Sequence, residues 1–185
     1  MAQPDPTDDP SDDTSDDTEH RFDDLAADLD PPMAVVTTAR HDERVGCLVG
    51  FHSQAGIEPR RYAVWLSKPN HTARVALHDD QLWFGVHFLT ADQHDLARLF
   101  GAETGDEVDK FAACAWTAGP HDVPLLADCD HRFVGRRISL TDVGSDHLCL
   151  VLEPTAVEHG HGSGRWLRLG QVLDLDAGHD PDEPA

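Results

Sequence analysis

At 185 residues the chain is long enough for one domain with a substantial core and short for two. Its formal net charge is −21, an excess of anions that repels DNA, RNA and anionic membranes alike. Most of that charge is terminal. Residues 1–30 hold 11 Asp and 1 Glu against 1 Arg, and Asp174, Asp176, Asp180, Asp182 and Glu183 crowd the end, leaving a mildly acidic domain between.

Residues 1–20 are mostly Asp, Ser, Thr, Pro and Gln, too polar to offset chain entropy, and are expected to form a disordered acidic tail. A short helix is expected from near Arg21, where Phe22, Leu25, Ala26 and Leu29 fall at helical spacing, until Pro31-Pro32 stops it. The folded domain is drawn over residues 21–173, with a second acidic tail over 174–185. No apolar run approaches the roughly 20 residues of a membrane span. The N-terminus lacks the basic-then-apolar pattern of a signal peptide, so a cytoplasmic location is the default expectation.

From Met33 the texture is β. MAVVTTAR, VGCLVGF, YAVWLS and LWFGVHFL are short runs rich in β-branched and aromatic residues, separated by polar or turn residues. Gly56 and Pro59 punctuate the connection between the second and third. Helices are expected over Asn70–Asp79, capped by Asn70, and over Asp92–Phe100, stopped by Gly101. A polar loop, 101–109, leads to Lys110-Phe111. Two long strands, His131–Asp142 and His147–Glu158, flank the turn Val143–Asp146, and Arg165–Leu169 makes a last short run. Six or seven strands with two interrupting helices, without strict strand–helix alternation, predict a mainly antiparallel β-barrel with peripheral helices.

Chemistry concentrates where the YAVWLS run meets the Asn70 helix. Ser67, Lys68, Asn70, His71 and Thr72 place one cation and several donors at a helix start, a setting that favours a phosphate. Asn70 serves equally as a plain cap and Lys68 as a solvated charge. His52, Ser53 and Gln54 read as further donors at the turn after VGCLVGF, or as an ordinary polar turn. Phe51 and Trp65 are read as core. The cysteines Cys47, Cys114, Cys129 and Cys149 lack a CxxC pair and are read as free thiols, Cys129 as exposed between two Asp. His159 and His161 in HGHG suggest a metal, but no further ligands fall at a specific spacing, and none is assigned. No Gly-x-Ser-x-Gly elbow or GxGxxG fingerprint is present, so a nicotinamide would bind without a Rossmann domain.

The ordered set AVVTTAR, VGCLVGFHSQAGIEPRRYAVWLS, the Thr72 helix, FGVHFL, DQHDLARLF, DKFAAC-W, PLL, Asp146-His147 and GRWLRLG resembles the flavin reductase-like FMN-binding split-barrel family over roughly residues 33–170. The resemblance implies an antiparallel, Greek-key-type split barrel that binds FMN as a homodimer. Activity would be hydride transfer from NADH or NADPH to flavin, with reduced flavin passed to a partner monooxygenase. It places Lys68–Thr72 at the flavin phosphate, Gly50 and His52–Gln54 at the ring or ribityl chain, Lys110 and Phe111 beside the ring, and His147 at the transfer site. The chain departs from the family at Leu48, Gly50 and Phe51, where hydroxyl or amide side chains are usual, and at His87, which stands at a family Asn. Those departures keep a second reading open: a non-catalytic binding module holding a flavin, deazaflavin or haem.

Overall fold

In a computed structural model, residues 12–105, 108–160 and 164–175 are described. The chain divides into two compact units, one ending at Asp30 and the other starting at Pro31. The first contains α1, Asp12–Asp28, whose Phe22 and Leu25 are exposed. This helix starts well before Arg21, so over its own span it replaces the expected disordered tail. Residues 1–11 of that tail and 176–185 of the C-terminal one lie outside the described residues.

The second unit is built on strands β1 Ala34–Arg40, β2 Glu43–Val49, β3 His52–Ile57, β4 Arg60–Ser67, β5 Trp83–Phe88, β8 Arg132–Asp142 and β9 His147–Glu158. They form one antiparallel sheet in the order β2-β1-β5-β8-β9-β4-β3. A separate hairpin pairs β6 Trp116–Ala118 with β7 Pro124–Leu126. Short helices α2 His71–Ala76 and α3 His94–Gly101 complete the unit. The mainly β, barrel-type expectation holds.

The two outermost strands of the sheet, β2 and β3, are consecutive in the chain, with only Gly50 and Phe51 between Val49 and His52. The sheet must therefore roll until its edges meet at that corner. The Trp65 amide donates to the Phe51 carbonyl (2.9 Å) and fastens the corner to β4. His52 fastens it again: one ring nitrogen lies 2.8 Å from the Pro32 carbonyl and the other 2.7 Å from the Tyr62 hydroxyl.

Strand alternation sorts the core into two layers. Ala34 and Val36, Cys47 and Val49, Val64 and Leu66, Phe84 and Val86, and Leu148, Leu150 and Leu152 recur at every second residue and fill the barrel interior, joined by Ala73 and Ala76 of α2. On the other face of β1, Val35 packs with Met33, Leu89, Phe100 of α3, Phe111, Leu126 and Leu167. A Cβ at Gly46 would stand 2.8 Å from the Phe100 ring and 3.1 Å from the Val36 carbonyl, so β2 needs glycine where α3 crosses it.

The four cysteines are free. Cys129 is buried rather than exposed, its thiol 3.3 Å from the Phe88 carbonyl, and burial pushes its pKa up to about 11. Phe51 also departs from expectation: at 57% exposure it is not core, because the barrel corner turns it outward.

Candidate functional site

The site forms where β2, the start of α2 and the start of β9 converge. After β4 ends at Ser67 the chain turns through Lys68 and Pro69 to Asn70, whose backbone is extended and whose side chain accepts from the Thr72 amide (2.9 Å), so α2 begins with one of its own donors already taken. Ala73, Val75 and Ala76 are buried, which fixes the helix against β2 and leaves His71 and Thr72 facing a cavity.

That cavity, about 290 Å³, is walled by Asp42–Gly46, Asn70–Thr72, Gly105 and Val108–Phe111. Thr72 is 1% exposed, and its hydroxyl oxygen has no hydrogen-bond partner of nitrogen or oxygen among the described residues; the Cys47 thiol lies beside it. Lys110 is also buried. Its ammonium donates to the carbonyls of Phe100 (3.1 Å) and Gly46 (3.4 Å), leaving the third of its three N–H groups for the cavity. Burial lowers the Lys110 pKa, and the neighbouring Cys47 and Glu103 oppose that shift. The carboxylates on this wall are partly engaged: Glu43 lies 2.8 Å from His71, and Asp109 accepts from the amides of Phe111 and Ala112. Arg44 sits over the Trp116 ring, 4.7 Å from its centre.

A second cavity, about 320 Å³, adjoins the first through Asn70, which lines both. Its walls are mainly apolar, with Met33, Leu48, Phe51, Trp65 and Phe100 among them, and its polar groups are Ser67, Asn70, Asp146 and His147. Strand register sets His147 directly across from Ser67. The His147 Nδ1 lies 2.8 Å from Asp146 Oδ1, and this contact holds the Asp146 carboxyl below the usual range. The Phe51 ring is tilted against the imidazole with centres 5.3 Å apart. The two cavities together fall in the size range of small-molecule sites, about 300–1,000 Å³.

Of the residues singled out from the sequence, Gly50, Ser67, Asn70 and His147 share the apolar cavity, while Asn70, His71, Thr72, Lys110 and Phe111 share the polar one. Phe111 packs edge-on against Phe100 and Trp116 as well as lining the wall.

Five others lie elsewhere. The Lys68 ammonium pairs with Asp142 (2.9 Å) beside a different groove, because the chain turns after Ser67 and sends the next side chain the other way. His52 points at Pro32 and Tyr62, and burial lowers its pKa. Ser53 and Gln54 stand exposed on β3, which is a strand here and not a turn. His87 is fully buried: its Nδ1 lies 3.2 Å from the Val35 carbonyl, and its Nε2 accepts from the Leu126 amide at 3.2 Å. Burial takes its pKa down to about 4.

Arg44, Asp109, Met33 and Trp65 line the cavities and were not foreseen as site residues. Asp109 had a readable signal, an Asp one residue ahead of a short helical turn. Among the described residues no group of three His, Cys, Asp or Glu is placed to hold a metal; His161 lies outside them.

Residues 27–170 match the family model for the flavin reductase like domain. The chain is 30% identical over 98 residues to the FMN reductase (NADH) RutF of Bradyrhizobium diazoefficiens, a match covering 53% of each chain; it thus spans about half the length of that curated relative. Among solved structures, the NADH:FAD oxidoreductase SgcE6 of Streptomyces globisporus C-1027 is similar with a TM-score of 0.69 at 23% identity, over 87% of this chain and 91% of that one. An FMN-binding protein of Thermus thermophilus gives a TM-score of 0.66 at 23% identity, over 74% and 77%. These structural likenesses show the split-barrel fold.

Proposed function

The chain belongs to the flavin reductase-like domain family, and from that premise we propose that it is an FMN-binding oxidoreductase that takes a hydride from NADH or NADPH and supplies reduced flavin. One observation carries the reading. The polar and apolar cavities meet at Asn70, as a ligand with a phosphate at one end and a flat ring at the other requires.

The residues present fit that ligand. The buried Thr72 hydroxyl, which has no nitrogen or oxygen partner, and the remaining Lys110 proton are donors suited to a phosphate. His71 and Asn70 extend that wall, and the apolar cavity suits a ring. Bound FMN would supply the hydride acceptor, while the protein contributes position and electrostatics. Met33, Leu48 and Trp65 keep water from the ring side. Asp146 orients His147 through Nδ1, so Nε2 is the ring nitrogen left to face a ligand.

A homodimer is part of the same reading, supported by Phe51, just ahead of edge strand β3, and Ile57, at its end, apolar and exposed at 57% and 79%. Free thiols accord with a reducing, cytoplasmic compartment. Delivery of reduced flavin to a partner monooxygenase would complete the role. Among the described residues no helix is long and apolar enough to cross a membrane.

The test is spectroscopic. Purified protein should carry, or take up from solution, a flavin absorbing near ~450 nm that bleaches anaerobically on adding NADH or NADPH. Refusal of FMN in titration overturns the proposal. The second reading, a module that holds its flavin or another chromophore without turning over nicotinamide, is favoured by the absence of a hydroxyl at Leu48, Gly50 and Phe51. Flavin that binds yet stays oxidised under excess NADH and NADPH would select it.

A further inference from the structure

The polar cavity of about 290 Å³ has walls of opposite character. Its buried wall holds the Thr72 hydroxyl, without a nitrogen or oxygen partner, and the remaining Lys110 proton. Its exposed wall holds three carboxylates, Asp42, Glu43 and Asp109.

The β1–β2 hairpin sets the first two in place. Arg40 pairs with Glu43 across the two-residue turn His41-Asp42, where His41 takes a left-handed φ of 54°. Glu43 is held again by His71, 2.8 Å away, and Asp109 by the amides of Phe111 and Ala112. Arg44 is the one arginine on these walls among the described residues. Its guanidinium sits 4.7 Å above the centre of the Trp116 ring, which is not part of the cavity wall.

We propose that this arrangement selects a flavin with a single phosphate, admitting FMN and turning away FAD, with Asp42 and Glu43 setting the choice. Total charge does not separate the two ligands. A phosphate monoester carries about −1.5 to −2 near neutral pH, close to the sum over the two phosphates of a dinucleotide. They differ in where the second charge falls. FMN keeps both charges on the phosphate beside Thr72 and Lys110. FAD moves one outward to a second phosphate, which must leave with its adenosine past the exposed carboxylates. Like charges at that range repel, and salt weakens the repulsion. The inference rests on the flavin reading above and deepens it by naming the flavin that the site refuses.

The experiment is calorimetric titration of the full-length protein with FMN and with FAD, at low salt and in about 0.5 M NaCl. Wild type should bind FAD at least tenfold more weakly than FMN at low salt, and the gap should narrow in the high-salt buffer. The Asp42→Asn/Glu43→Gln double variant should narrow it at least threefold at low salt. Asp42→Lys, at an exposed turn position, should tighten FAD binding several-fold, a gain that misfolding cannot produce. Wild type binding FAD as tightly as FMN, a gap indifferent to salt, or FAD affinity that rises in neither variant overturns the inference. The FMN arm keeps the two readings apart. Equal binding of both flavins leaves the flavin reading standing and sinks this one alone, whereas binding of neither sinks both.

Discussion

Beside β1, in the closed part of the barrel, His87 uses both ring nitrogens on backbone partners, and Thr37, Thr38 and Gln81 are likewise bonded within the protein. On the cavity side the Thr72 hydroxyl has no nitrogen or oxygen partner, and Lys110 retains a proton beyond its two carbonyls. All of these groups are buried, yet only the second set is left unfinished. Burying a polar group without a partner costs free energy, so the contrast separates groups that fix the fold from groups that await a ligand.

The sharpest way to break the contrast is His87→Leu. It orphans the Leu126 amide and should cost about 2–3 kcal/mol in urea unfolding. FMN affinity of the folded fraction should stay put; a tenfold loss of affinity at unchanged stability would make His87 a ligand group after all.

Acid provides the next largest effect. Folded His87 resists protonation down to about pH 4 while the unfolded chain takes the proton near 6.5. Stability from this group is therefore complete above about pH 6.5 and declines as pH falls toward 4, by up to about 3 kcal/mol. His52, shifted the same way, adds to the decline. Urea midpoints measured across that window should fall steeply in wild type and more gently in His87→Leu.

Lys110→Met tests the unfinished set. Loss of a charge-assisted hydrogen bond, about 1.5–3 kcal/mol, should weaken FMN by roughly 10- to 100-fold and riboflavin, which lacks the phosphate, far less. Lys68→Met should leave FMN affinity within about twofold, since that ammonium already pairs with Asp142. Equal losses for FMN and riboflavin in Lys110→Met would assign Lys110 to packing alone.

Smallest is Thr72→Val, which keeps shape and removes the hydroxyl. It should weaken FMN about fivefold, near 1 kcal/mol, with at most a small fall in Tm because only the Cys47 thiol bonds that hydroxyl within the protein. A clear drop in Tm at unchanged affinity would return Thr72 to the scaffold.

The sequence announces its strands wherever β-branched and aromatic residues alternate, as in AVVTTAR and YAVWLS. It hides β3, because HSQAGI holds small and polar residues and lies at an exposed edge with no buried face to pattern. The hairpin of β6 and β7 is too short for periodicity to register. At the site, Asn70, His71 and Thr72 are legible because a cap and a helix start are local signals. Lys68 and His87 mislead for a common reason. Type and position suggest a donor, but whether a side chain meets the cavity depends on pairing with Asp142 or on the Val35 and Leu126 backbones, contacts made across the chain. Phe51 misleads in reverse, since only closure of the barrel turns an apolar strand residue outward.

That closure has a further consequence. At most sheet ends an incoming strand finds a row of idle amides and can extend the ladder. Here the backbone passes from one rim to the other in two residues and blocks the approach at that corner, where Phe51 stands exposed. The stitch keeps an apolar ring in the open while the carbonyl behind it is already taken by Trp65, so the corner offers little backbone to a neighbouring strand.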